Sequence, residues 1–104
     1  MIRELQVTAL DLSQPATIWD VRDAASHAEG HLRGAVSQPL ETLTAALLAT
    51  VPAGQPIYVL CGGGTKAGRA CALLENLDPS REYVELKGGT RAAKAAGLVE
   101  EGNQ

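Results

Sequence analysis

The sequence predicts an α/β fold, a small parallel β-sheet flanked by helices on both faces. Short apolar runs alternate with segments of helical period along most of the chain, the pattern of strand–helix–strand units. The clearest strand, Ile57-Tyr58-Val59-Leu60, runs straight into Cys61, then Gly62-Gly63-Gly64-Thr65-Lys66 and a helix. In sheets of this kind ligands bind beyond the carboxyl ends of the strands, which is where Cys61 falls.

Taken in order, Leu5-Gln6-Val7 reads as a weak strand. Thr8 is placed to cap a short helical turn through Leu12, ended by Ser13-Gln14-Pro15. Residues 17–21 (Thr-Ile-Trp-Asp-Val) form a strand, Ala24 to Glu29 a short helix stopped at Gly30, and Ala35-Val36 another short strand closed by Gln38-Pro39. Leu40, Leu43, Leu47 and Leu48 lie on one face of a stronger helix spanning Leu40 to Thr50. Prolines and glycine make residues 51–56 a loop. After Cys61, the residues Ala70, Leu73, Leu74 and Leu77 fall at i, i+3, i+4 and i+7 of a helix that exits at Asp78-Pro79. Residues 83–86 form a strand, Gly88-Gly89 a turn, and Thr90 to Ala96 a last helix ending at Gly97.

With 104 residues and no repeat, low-complexity tract or linker, the chain reads as a single domain over 1–104, able to bury a modest core. Trp19, Tyr58 and Tyr83 are its only aromatics, so Leu, Val, Ile and Ala must fill that core. A net charge of −3 argues against a nucleic-acid partner and against a polybasic membrane surface. No apolar run is long enough to span a bilayer, and Met1-Ile2-Arg3-Glu4 is not a signal peptide, so the chain reads as cytoplasmic. Cys61 and Cys71 are too few for a disulfide scaffold, and with only His27 and His31 beside them no metal site is expected.

Cys61 carries the chemistry. Free backbone N–H groups at a helix start favour negative charge, so a thiolate there is stabilised and becomes a better nucleophile than an ordinary thiol. Three glycines leave the backbone free to curl around the sulfur. Lys66 and Arg69 lie in the first turns of the helix, where the macrodipole disfavours cations; an anion between them accounts for both. Cys71 reads as a helix-packing residue, with a resolving thiol as the alternative. Asp20 and Arg22 read as a buried pair that ties loops together, and His31 as a residue ordering its own loop by hydrogen bonds. Lys87 and Arg91 flank the Gly88-Gly89 turn and read as ordinary solvent-facing charges, with a positive rim to the site as the alternative.

Several segments together resemble the rhodanese family. Asp20-Val21-Arg22 followed by residues 29–35, EGHLRGA, is similar to its first signature, with Pro39 at a position where a proline is usual. Residues 61–67, CGGGTKA, resemble its active-site loop, Leu86-Lys87-Gly88-Gly89 its late glycine pair, and Ala96-Gly97-Leu98 its C-terminal tail. The resemblance implies a rhodanese-like fold and a sulfurtransferase in which Cys61 cycles between thiolate and persulfide, needing no metal or cofactor. It implies a small anionic sulfur donor such as thiosulfate, bound by the amides of Gly62, Gly63, Gly64 and Thr65 and by Lys66. A thiophilic acceptor, cyanide or a protein thiol, then takes the sulfur.

Related cell-cycle phosphatases have a loop one residue longer; the shorter one here suits a sulfur atom better than phosphate. Departures are also visible: Lys66 stands where arginine is common, Ala67 for a frequent serine, Ser26 for glutamate, His27 for an aromatic and Ala93 for tryptophan. Lysine keeps the charge but loses the bidentate fork. The competing readings are a rhodanese-like interaction or sulfur-delivery module, and a redox sensor pairing Cys61 with Cys71.

Overall fold

A computed structural model describes residues 1–102. Its strands are β1 (Ile2–Gln6), β2 (Thr17–Asp20), β3 (His31–Leu32), β4 (Val36–Ser37), β5 (Ile57–Leu60), β6 (Tyr83–Lys87) and β7 (Val99–Glu100). Its helices are α1 (Ala24–Glu29), α2 (Ala45–Leu48), α3 (Lys66–Leu77) and α4 (Gly89–Ala95). Five strands make a parallel sheet in the order β1-β6-β5-β2-β4, so the expected α/β class holds and β5 lies at its centre. β3 and β7 pair separately as an antiparallel ribbon.

Strand alternation sorts side chains onto the two faces. Ile57, Val59 and Cys61 pack with Trp19, Val21 and Tyr83 beneath α3 and α2. Leu60, Ile18, Val84 and Leu86 point the other way, against Val7, Leu32, Ala35 and Ala93 of α4. With helices on both faces, the open edge above β5 is where the chain emerges at Cys61.

The structure corrects several local expectations. β1 begins at Ile2, because its whole length pairs with β6, from Ile2 opposite Tyr83 to Gln6 opposite Lys87. Its mostly exposed residues carry little alternation to read. The turn after it is a 3-10 turn, Val7–Ala9, with no side-chain cap from Thr8. The helix expected over 40–50 is broken into a 3-10 turn, Leu40–Thr42, and the four-residue α2. Thr44 is the cause: its backbone is extended, and its hydroxyl accepts the Leu47 N–H at 3.1 Å, capping α2 instead of continuing a helix. Leu43 and Leu48 still reach the core, with Leu40 and Leu47 packed against it.

In α3 the buried stripe is Ala67, Ala70, Cys71 and Leu74, while Leu73 and Leu77 are 37% and 38% exposed. Both stripes obey the helical period; small side chains win because they let α3 lie close on the sheet. The short strand read at Ala35-Val36 falls one residue later, at Val36–Ser37. β3 and β7 went unread because two-residue strands show no period. Among the described residues no helix is long and apolar enough to cross a membrane.

At the opposite end of the sheet Arg81, 7% exposed, closes the loop before β5. Its guanidinium donates to the carbonyls of Pro52 (2.8 Å), Gln55 (2.9 Å) and Val51 (2.9 Å). Replacing it strands three partly buried acceptors. Arg81→Met is therefore expected to cost about 3 kcal/mol in urea unfolding, since bonds to a charged donor are individually strong. A loss below about 0.5 kcal/mol would mean that solvent serves those carbonyls as well as the guanidinium does.

Candidate functional site

β5 delivers Cys61 to the carboxyl edge of the sheet, where its side chain is 5% exposed. The irregular segment 62–65 then turns into α3, which starts at Lys66 and receives no side-chain cap from Thr65. The carbonyls of Cys61 and Gly62 are held from outside by α4. Thr90 donates its N–H to Cys61 O (2.8 Å) and its hydroxyl to the same atom (3.2 Å), and the Arg91 N–H reaches Gly62 O (3.1 Å). Among the described residues, the N–H groups of Gly62, Gly63, Gly64 and Thr65 have no such partner. The first two carbonyls, of Cys61 and Gly62, are thus held by α4 while the four following amides stay free, and free successive amides are what a backbone anion nest requires.

This grip depends on Gly88 and Gly89. Gly89 has φ +57, and a Cβ there would stand against Cys61 O, within 2.7 Å of Gly63 N. Gly88 has φ +87, and its Cβ would lie 2.8 Å from that of Ala92. No side chain fits where α4 meets the loop.

Behind the loop lies a small cavity of about 30 Å3 lined by Cys61, Gly63, Gly64, Ala67 and Glu85. That is room for an atom or two beyond the thiol. Glu85 went unnoticed in the sequence, although a signal was there. It alternates with Val84 and Leu86, so it shares the face of Tyr83 and Cys61, an unusual place for a charge. Its carboxylate meets Lys87 Nζ at 3.4 Å and lies so close to α3 that a Cβ on Gly68 would be 3.4 Å away.

Of the cations read in the sequence, Lys66 is half-buried at the start of α3, and Arg69 and Arg91 are exposed. Asp23 caps α1 by accepting the Ser26 N–H at 2.7 Å. That bond, with smaller help from the charges of Lys66 and Arg22, holds its carboxyl below the usual range. Lys87 is not a free rim charge, since Glu85 and Glu4 (4.0 Å) both pair with it.

Asp20 and Arg22 make the expected structural pair, and His27 joins it. Arg22 Nη2 donates to Asp20 Oδ2 and to Gly30 O, each at 2.7 Å, and His27 Nδ1 donates to Asp20 Oδ2 at 2.9 Å. Burial pushes the Asp20 carboxyl up, but the bonds from Arg22 and His27 and the Arg22 charge outweigh it, leaving the pKa below its ordinary value. His31 Nδ1 donates to His27 O at 2.8 Å, and the two imidazoles stack with centroids 3.8 Å apart. Cys71 is buried in α3, its thiol pushed up to about 12, by burial first and then by Glu85 and Glu75. It remains a neutral packing group at physiological pH. Among the described residues no cluster of His, Cys, Asp and Glu is arranged to hold a metal.

A family model described as a rhodanese-like domain matches residues 6–96. The chain belongs to the rhodanese family. Among solved structures, the rhodanese-like domain of the Alr3790 protein from Anabaena sp. is 33% identical, with a TM-score of 0.75 over 86% of this chain and 96% of that one. A thiosulfate sulfurtransferase from Pseudomonas aeruginosa is 26% identical with a TM-score of 0.80; the match covers 97% of this chain but 20% of that protein. A comparison with curated protein sequences finds no match. The rhodanese signatures read in the sequence occupy defined places here: the Asp-x-Arg pair beside α1, the cysteine loop above β5, and the glycine pair beneath that loop.

Gly89→Ala should destabilise this rhodanese domain by about 2–4 kcal/mol, combining positive-φ strain with displacement of the loop, and should change the rate at which iodoacetamide alkylates Cys61. Gly97→Ala is the contrast. It also has positive φ (+74) but open space around it, so about 1 kcal/mol and an unaltered alkylation rate are expected. For Asp20 the sign is set by its lowered pKa. Its contribution is full above the unfolded carboxyl value, near pH 4, and is lost as pH falls through the lower folded value. Asp20→Asn should therefore be less stable at pH 7 and show a shallower loss of stability below pH 4, read by urea melts across that range.

Proposed function

We propose that this rhodanese-like domain is a sulfurtransferase that carries a sulfane sulfur on Cys61. The observation that carries the reading is the loop itself: one cysteine followed by four unpartnered amides, with a cavity of about 30 Å3 beside it. The Cys61 thiolate attacks the outer sulfur of thiosulfate. A bond forms between Sγ and that sulfur, the sulfur–sulfur bond of the donor breaks, and its electron pair leaves with sulfite. The persulfide anion then accepts hydrogen bonds from the amides of Gly62, Gly63, Gly64 and Thr65. Lys66, beside the loop, attracts the anionic end of the donor. A thiophilic acceptor, cyanide or a thiol, attacks the outer sulfur in turn and returns Cys61 to the thiolate, a ping-pong cycle. Lys87 offsets the Glu85 carboxylate, which would otherwise repel the persulfide through the cavity wall.

A cavity of this size also favours sulfur over the tetrahedral oxyanion that a phosphatase loop must hold. The alternative is a sulfur-delivery or docking module that does not turn over thiosulfate efficiently.

Intact mass after incubation with thiosulfate should show one added sulfur atom, removed by cyanide, present in Cys71→Ser and absent in Cys61→Ser. No adduct from thiosulfate or other sulfane donors would sink the enzyme reading and leave the docking module. Lys66→Ala should raise KM for thiosulfate about tenfold with little change in melting temperature, the scale of one partly screened ion pair plus a lost hydrogen bond. An unchanged KM would remove Lys66 from donor binding.

A further inference from the structure

Two guanidinium groups flank the cysteine loop, and a carboxylate holds only one of them. A Cβ on Gly62 would lie 3.8 Å from Arg22 Cδ, but the Arg22 head is held by Asp20 and by Gly30 O, its Nη2 donating to each at 2.7 Å. Arg91 is placed differently. Its N–H is fixed on Gly62 O (3.1 Å), and a Cβ on Gly63 would meet Arg91 Cβ at 3.7 Å and Arg91 Cζ at 3.9 Å. With its first and last carbons in contact with one point, the side chain lies along the loop instead of standing straight out from α4. Arg91 makes no ion pair among the described residues. Lys66 and Arg69 make none either; what singles out Arg91 is its contact with the loop. Gly63 in turn has φ +136, where a side chain is strained, and it lines the cavity beside Cys61. One exposed glycine therefore touches both the guanidinium and the cavity of the thiol.

Building on the sulfurtransferase reading, we propose that Arg91 grips the oxidised head of the sulfur donor, so that the preferred donors end in a sulfonate-type group: thiosulfate and organic thiosulfonates. Lys66 presents a point charge, whereas a guanidinium is a planar fork that binds two oxygens of one head at once. The loop amides take the outer sulfur, and Arg91 takes the oxygens on the inner one. The groove that Arg91 lines with Gly62 and Thr90, about 300 Å3, has room for that head and for the organic tail of a thiosulfonate. The step balances without another reactant. The Cys61 thiolate bonds to the outer sulfur and the sulfur–sulfur bond of the donor breaks. Its electron pair leaves on the inner sulfur, as sulfite from thiosulfate or as a sulfinate from a thiosulfonate. The charge arriving on that leaving group spreads onto the oxygens that Arg91 holds, so the contact strengthens as the bond breaks. A persulfide donor with an alkyl far end has no oxygens for the fork.

The test compares thiosulfate with the hydropersulfide of 2-mercaptoethanol, whose far end is an uncharged alcohol, following the loading of Cys61 by intact mass. In Arg91→Ala the second-order loading rate should fall about tenfold for thiosulfate and less than about twofold for the hydropersulfide. Arg91→Lys should keep only part of the thiosulfate rate, since it restores the charge without the fork. Lys94→Ala removes another exposed cation of the same groove and should change either rate by less than about twofold. The melting temperature of Arg91→Ala should match the wild type, because the backbone bond to Gly62 remains. Equal falls for both donors, full recovery in Arg91→Lys, an equal effect of Lys94→Ala, or no effect of Arg91→Ala would overturn the proposal while leaving the persulfide intact. Methanesulfonate, which has the oxidised head and no sulfur to give, tests the grip apart from transfer. It should slow iodoacetamide alkylation of Cys61 in the wild type, and about tenfold more of it should be needed in Arg91→Ala. That result supports the proposal even if no persulfide forms, and no protection of the wild type refutes it.

Discussion

The contact on which the site depends is the approach of the first turn of α4 to the carbonyl of Cys61. Two hydrogen bonds from Thr90 and one from the Arg91 amide turn the carbonyls of Cys61 and Gly62 toward α4. A peptide unit whose oxygen is held on one side presents its N–H elsewhere, so the amides that follow are left without protein acceptors. Gly88 and Gly89 permit this approach, since a Cβ on either would collide with a neighbour. The glycine pair and the cysteine loop, some 25 residues apart, are two halves of one device.

The parallel sheet brings the halves together. β5 and β6 are hydrogen-bonded neighbours at the centre and flank of the sheet, so the turns leaving their carboxyl ends must meet. The same pairing puts Glu85 on the face of Cys61 and sets a carboxylate beside the cavity under the thiol. Lys87, two residues on and on the same face, supplies the opposite charge.

The buried polar network below α1 does different work. Asp20 binds Arg22 and His27, Arg22 reaches on to Gly30, and His31 bonds the carbonyl of His27 beneath a stacked imidazole. Every link spans only a few residues, and together they hold α1 and β3 in place beside the sheet. A carboxylate with almost no exposure is tolerated because each of its oxygens is hydrogen-bonded to a donor.

The sequence by itself determined the strand–loop–helix around Cys61, the α/β class and the order of the rhodanese signatures. Each rests on local pattern: an apolar run, a glycine run, a helical period. It misjudged the segment 40–50, where apolar spacing suited a helix but the Thr44 hydroxyl preferred a cap. It also chose leucines for the buried stripe of α3 where the sheet took Ala67 and Cys71. It was silent on β3 and β7 and on Glu85 beside the thiol. Those features were decided by tertiary structure alone, because they depend on which turns a sheet register brings together and on which charges find a partner in space, neither of which is written in the spacing along the chain.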